Sequence, residues 1–125
     1  MSEVGKHERG MGIRREVLGD DHVDRAIAGT NDVDRDFQNW ITENVWGDLW
    51  ARPELGRRDR SLVTIAILAA AGHHELELHL RAARNTGATR EEIAEVLLHV
   101  AIYAGVPAAN HAFKTLKTIY EEETD

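Results

Sequence analysis

The stretch Thr89-Arg90-Glu91-Glu92-Ile93-Ala94-Glu95-Val96-Leu97-Leu98-His99-Val100-Ala101-Ile102-Tyr103-Ala104-Gly105-Val106-Pro107 decides the fold. Thr89 and Glu92 have the spacing of a capping box: the Thr hydroxyl accepts from the Glu92 amide, and the Glu carboxylate reaches back to the Thr89 amide. Behind the cap, Ile93, Val96, Leu97, Val100, Ala101 and Ala104 recur at i, i+3, i+4, i+7, i+8 and i+11. That period puts them on one side of an α-helix. Gly105 and Pro107 then break it. A helix with one apolar stripe needs other elements to cover it, and the rest of the chain supplies helices for the purpose.

Downstream, a last helix is expected from about Pro107 to Glu121. Upstream, one is expected over His74 to Asn85, closed by Gly87. Another opens at Arg58 or Asp59 and runs to Ala71, with Gly72 behind it. Leu62 to Ala71 is apolar almost all round, which suits a central helix or an oligomer contact. Residues 46–55 read as irregular, with Gly47 and Pro53. Before them, Asn31 and Asp32 can cap a helix to Trp46, with Val33, Phe37, Trp40, Ile41 and Val45 at helical spacing and Trp40 as its core aromatic. Helices over Glu8–Leu18 and His22–Ala28, stopped by Gly19 and Gly29, complete the chain. Alternating strand patterns are absent. The expectation is one all-α domain over residues 1–125, of about six to seven helices.

Composition narrows the function. The 125 residues hold 15 Lys plus Arg against 22 Asp plus Glu, a formal net charge of -7. That is the wrong sign for gripping a phosphate backbone or an anionic membrane surface. Cysteine is absent, which removes thiol nucleophiles, disulfide cycles and cysteine-ligated metals. The polar opening residues and the shortness of the apolar runs point to a cytoplasmic protein that neither enters nor crosses a membrane.

Seven histidines invite a metal reading. His74-Glu75-Leu76-Glu77-Leu78-His79 resembles the zinc-binding HExxH pattern but is one residue too long. Two histidines five apart lie about 140° round a helix and cannot share one ion. The pair at true i, i+4 spacing is Glu75 and His79. A carboxylate one turn from an imidazole can orient it and raise its pKa, which makes His79 a candidate proton donor; a solvated helix pair is the plainer reading. Glu77 and Arg81 have the same spacing and read as a solvated pair. His99 and Tyr103 form another, as core edge or pocket wall, while His73 and His111 read as surface or interface positions. Arg57, Arg58 and Arg60 reverse the local charge at a helix start, where the macrodipole disfavours cations. A partner carboxylate or an anionic ligand is expected to compensate. Trp46 and Trp50 read as candidate walls of an apolar cavity.

These motifs carry a resemblance. Residues 58–109, RDRSLVTIAILAAAGHHELELHLRAARNTGATREEIAEVLLHVAIYAGVPAA, are similar to the carboxymuconolactone decarboxylase family, whose fold is the all-helical one of the alkylhydroperoxidase D proteins. RREVLGDDHVDRA (14–26) and NVWGDLWARPEL (44–55) extend the likeness towards the branch acting on 4-carboxymuconolactone. The redox branch of the fold carries a glutamate, a CxxC pair and then a histidine. Aligned on His79, Gly72 and Glu75 stand at the two cysteine positions and Arg60 at the glutamate, so a thiol peroxidase cycle is excluded.

The resemblance implies cofactor-independent decarboxylation of 4-carboxymuconolactone to the enol-lactone of 3-oxoadipate, a step of protocatechuate catabolism. It implies a homotrimer or homohexamer and a dicarboxylate lactone as the small-molecule substrate. His79 is the expected acid, oriented by Glu75, and Arg60 the expected anchor for a carboxylate or the lactone oxygen. Trp46, His22, Arg25 and Tyr103 are the expected substrate-binding residues, with no metal site. Rival readings are a related lactone or β-keto acid decarboxylase, a tautomerase, or a non-catalytic helical oligomer. A ferritin-like metal bundle lacks its paired Glu-x-x-His signature.

Overall fold

The structure, a computed structural model, describes residues 3–124. Those residues form α1 (Glu3–Leu18), α2 (Asp20–Ala28), α3 (Arg35–Trp40), a π-helical segment (Ile41–Leu49), α4 (Arg57–Ala71), α5 (Leu76–Thr86), α6 (Arg90–Tyr103) and α7 (Val106–Thr124). They fall into two compact units, divided between Gly56 and Arg57.

The second unit holds the decisive helix. The capping box is present on α6: Thr89 Oγ1 accepts from the Glu92 amide at 3.1 Å, and Glu92 Oε1 accepts from the Thr89 amide at 2.9 Å. Ile93, Leu97 and Val100 are buried, as the period requires. They pack with Ile65 and Ala69 of α4, Leu76, Leu80 and Ala83 of α5, and Ala109, Ala112, Leu116 and Ile119 of α7. Burial of one such Leu or Ile stabilises the fold by about 1.5–3 kcal/mol, so this cluster and not the surface charge holds the unit together.

Gly72 ends α4 at φ +68, with the Gly72 amide bonded to the Ala69 carbonyl and the His73 amide to the Leu68 carbonyl. This is a Schellman turn, which needs a left-handed residue at that point. It reverses the chain, so α4 and α5 run antiparallel. At the far end Ser61 Oγ meets Thr86 Oγ1 at 2.7 Å, and Thr86 in turn donates to the Ala83 carbonyl. Helix α5 begins at Leu76, two residues later than the pattern suggests, because a second turn, closed by the Leu76 amide on the His73 carbonyl at 3.2 Å, takes up His74 and Glu75.

The arginine cluster is partly explained here. Arg58 bridges Asp59 at 2.6 Å and Glu92 at 2.5 Å, tying the start of α4 to the start of α6. A partner carboxylate thus offsets the unfavourable position at the helix start. The Glu92 carboxyl is held below its usual pKa, first by the Thr89 amide and then by Arg58. A depressed carboxyl contributes stability that is present above its unfolded pKa and lost as pH falls through its folded one. Thr89→Ala removes the hydroxyl cap; unfolding in urea should show a loss of about 1 kcal/mol. An unchanged midpoint would remove the cap from the account of α6.

In the first unit the sequence pattern misleads. Helix α3 starts at Arg35, because Asn31 and Asp34 spend their side chains on a turn: Asn31 Oδ1 accepts from the Val33 amide and Asp34 Oδ1 from the Asn31 amide. Val33, Phe37 and Trp40 are exposed, Trp40 by 56%. Trp40 is therefore not a core residue. The irregular stretch starts later than Trp46: residues 50–56 lack regular structure, but 46–49 do not. The helix continues through Trp46 with wide turns to Leu49, and the Trp50 amide reaches back five residues to the Val45 carbonyl at 2.9 Å. The wider turn carries Thr42, Trp46 and Gly47 inward, against α1. Backbones touch there: a Cβ on Gly10 would overlap the Thr42 carbonyl oxygen and lie 2.9 Å from the Gly47 nitrogen. Only a residue without a side chain permits that approach.

Candidate functional site

His79 lies on α5, one turn after Leu76 and one before Ala82 and Ala83, all three buried. It is half-buried, and its Nδ1 is shielded from solvent. A shielded ring edge beside an apolar core is a suitable setting for a proton donor. Glu75 precedes the helix and is exposed. Its carbonyl accepts the His79 amide at 3.2 Å, so the two residues meet through the backbone.

Arg60 is half-buried in the first turn of α4, with its Nε shielded from solvent. Its carbonyl accepts from Thr64 Oγ1 at 2.8 Å. Ser61 is level with Thr86 across the antiparallel pair, and His79 stands seven residues before Thr86. At 1.5 Å per residue, His79 and Arg60 are on the order of 10 Å apart along the helices. Their backbone positions therefore lie at different levels of the α4–α5 pair.

A groove of about 660 Å³ runs along the outer sides of α4 and α6. Leu62, Val63, Ala66 and Ile67 line one side, and Val96, His99 and Tyr103 the other. The His99 and Tyr103 rings stack at 4.8 Å between centroids. Tyr103 is thus a groove wall, 81% exposed. Arg60, Glu75 and His79 are not among the groove-lining residues.

Helix α4 is apolar almost all round, but its sides differ in burial. Ser61, Ile65 and Ala69 face the core, while Val63 and Ile67 stay exposed. His73 and His111 are exposed, as their sequence setting suggests. Arg81 pairs with Glu77 at 3.5 Å and more closely with Glu122 of α7 at 2.8 Å.

Three further candidates belong to the first unit. Trp46 is 4% exposed and packs on Trp50 at 5.0 Å between centroids, so the two indoles fill that unit's interior. His22 is half-buried and Arg25 exposed, one turn apart on α2. Sequence reasoning passed over Arg14, although it sits in a buried stripe with Gly10, Ile13 and Val17 on α1. That i, i+3, i+4, i+7 spacing was the available signal, obscured by the pairing of Arg14 with the exposed-side Arg15.

Among the described residues no group of three or more His, Asp or Glu side chains is placed to hold a metal ion. No helix among them is long and apolar enough to cross a membrane.

Comparison with known proteins bears on this arrangement. The carboxymuconolactone decarboxylase family matches residues 35–118. A 4-carboxymuconolactone decarboxylase of Acinetobacter baylyi is 44% identical over 123 residues, covering 98% of this chain and 92% of that protein. A nitrosuccinic acid decarboxylase of Metarhizium robertsii is 41% identical over 114 residues, covering 90% of this chain and 80% of that protein. The all-α architecture, the ordered motifs and these near full-length matches agree: the chain belongs to the carboxymuconolactone decarboxylase family.

Proposed function

We propose that this chain decarboxylates 4-carboxymuconolactone to the enol-lactone of 3-oxoadipate without a cofactor. The observation that carries the reading is the 44% identity to a decarboxylase of that name across almost the whole of both chains. The departing carboxylate sits on the ring carbon next to the ring oxygen. Its C–C bond breaks, and the electron pair moves through the ring alkene onto the lactone carbonyl. A proton then returns to the carbon beside that carbonyl. The ring is its own electron sink, which is the task a cofactor otherwise performs.

His79 supplies the proton, and Arg60 holds the acetate carboxylate or meets the charge on the lactone oxygen. Glu75 sets the start of the helix that carries His79. Tyr103 on α6 is a proposed substrate-binding residue of the second unit, and His22, Arg25 and Trp46 are proposed ones of the first. Self-association as a trimer or hexamer and a cytoplasmic location belong to the same reading; the exposed Val63, Ile67, Ile102 and Val106 support the first.

The second relative widens the substrate class. Both acids are succinates: the carbon bearing the departing carboxylate also bears a CH2–COO⁻ arm. Both have an acceptor for the released electron pair, an unsaturated lactone in one and a nitro group in the other. A site for the shared succinate portion accounts for two decarboxylases of different name so similar to this chain.

Purified protein given the lactone should release carbon dioxide; a folded preparation without turnover overturns the reading. Arg60→Gln should raise KM or lower kcat by about 10–100-fold, the range for losing a hydrogen bond to a charged group. A rise in KM alone marks uniform binding, and a fall in kcat marks contact with the developing charge. No change in either removes Arg60 from the site.

A further inference from the structure

We propose that Arg14, in the first unit, is a receptor for the carboxylate of a small anion, which binds the guanidinium edge formed by Nε and Nη2. Arg14 is 7% exposed. It belongs to the stripe of α1 that presses against the π-helical segment. Its Nη1 donates to Thr42 Oγ1 at 3.2 Å and its Nη2 to Gln38 Oε1 at 3.1 Å. Both acceptors are neutral. The Nε has no acceptor and is shielded from solvent. Among the described residues no carboxylate pairs with this guanidinium, whereas the adjacent Arg15 takes both Asp20 and Asp24 at 2.9 Å on the outer side.

A buried cation without a counter-charge is expensive, and a guanidinium does not escape by losing its proton. Burial alone draws Arg14 below the ordinary arginine value, with no acid acting in the other direction. Neutral hydrogen bonds satisfy two of its N–H groups and leave the charge itself uncompensated. A hydrophobic side chain of similar volume fills such a site at lower cost. An anionic ligand supplies what the chain lacks.

The chemistry of the edge selects a planar carboxylate. Nε and Nη2 point the same way at carboxylate spacing, and two parallel charge-assisted bonds are stronger than either neutral contact now made. Gln38 is half-buried on α3, so its amide is the movable partner that yields Nη2. Thr42 keeps Nη1 and holds the guanidinium in place. Thr42 is itself fixed by donating to the Gln38 carbonyl at 2.9 Å. Wide π-helical turns of this kind occur often at functional sites.

The test is binding, not turnover, so its outcome is separate from that of the decarboxylase reading. The full chain, with uniform 15N labelling, is titrated with succinate at constant ionic strength. The Arg14 Nε–H resonance, assigned by its loss in Arg14→Met, should shift and saturate. Chloride at matched ionic strength should leave it in place. Succinate should raise the melting temperature of the wild type and leave that of Arg14→Met unchanged. Without ligand, Arg14→Met should melt as high as the wild type or higher. An Nε–H resonance that never moves overturns the proposal, as does an equal response to chloride. So does an Arg14→Met protein that melts well below the wild type, since Arg14 is then a structural clamp on Thr42 and Gln38. An Arg14→Met protein that does not fold counts as that same outcome, and Arg14→Lys then serves to assign the resonance.

Discussion

Replacing His79 by alanine should lower kcat by about 10²–10⁴-fold, the range for loss of a general acid. The imidazole is the titratable group on α5 whose ring edge is shielded beside the core residues Leu76, Ala82 and Ala83. Alanine is the best helix former, so α5 is not weakened by the exchange itself. The drop should appear in kcat and kcat/KM together, because a proton donor acts in the transition state and contributes little to ground-state binding. Steady-state kinetics on the lactone measures it, with circular dichroism to establish that the helices persist. A rate near that of the wild type would remove His79 from the mechanism and leave the proton to another group.

The second large effect concerns the first unit. Gly10→Ala should destabilise that unit by about 3 kcal/mol, at the upper end of the overpacking range. The added methyl meets the Thr42 carbonyl and the Gly47 nitrogen, which are backbone atoms of a helical segment and cannot rotate away. Gly47 makes the reciprocal approach, since a Cβ there would lie 2.7 Å from the Lys6 carbonyl oxygen. Two glycines thus set the distance between α1 and the π-helical segment, and either substitution pushes the pair apart. Gly12→Ala is the matched control. It lies on the same helix with no atom within 4 Å of its Cβ position, and should stabilise by about 0.5–1 kcal/mol. Urea unfolding followed through the buried Trp46 and Trp50 reports both. Equal effects at the two positions would show that close approach does not govern this packing.

In the second unit the helices were legible because local rules and burial agree. Thr89 and Glu92 cap α6, and Ile93, Leu97 and Val100 turn inward as their period dictates. Gly72 and Gly87 stop α4 and α5 where a left-handed residue is required. In the first unit they disagree. Val33, Phe37 and Trp40 fit a helical stripe, yet they face outward and Thr42, Trp46 and Gly47 face inward. Thr42, Trp46 and Gly47 lie where the helix is wound more widely, so a 3.6-residue stripe carried on from α3 does not place them. The helices that carry the candidate residues were legible, and their setting only partly. The i, i+4 spacing of Glu75 and His79 assumed a helix already formed at Glu75, and the turn from His73 to Leu76 moves that start to Leu76. Arg14 escaped notice because sequence shows a charge and not the side to which it points.

By itself the sequence determined the all-helical class, the helix stops, the exclusion of thiol chemistry and the family resemblance, since each rests on neighbouring residues or on composition. Only the tertiary structure decided which face each helix buries, how far apart Arg60 and His79 stand, and that one guanidinium of the Arg14-Arg15 pair lies inside. The reason is physical. Capping, helical period and glycine stops act over four or five residues, whereas the inward face of α1 and of the π-helical segment is set by backbone contact between Gly10 and Thr42, thirty-two positions apart in the chain.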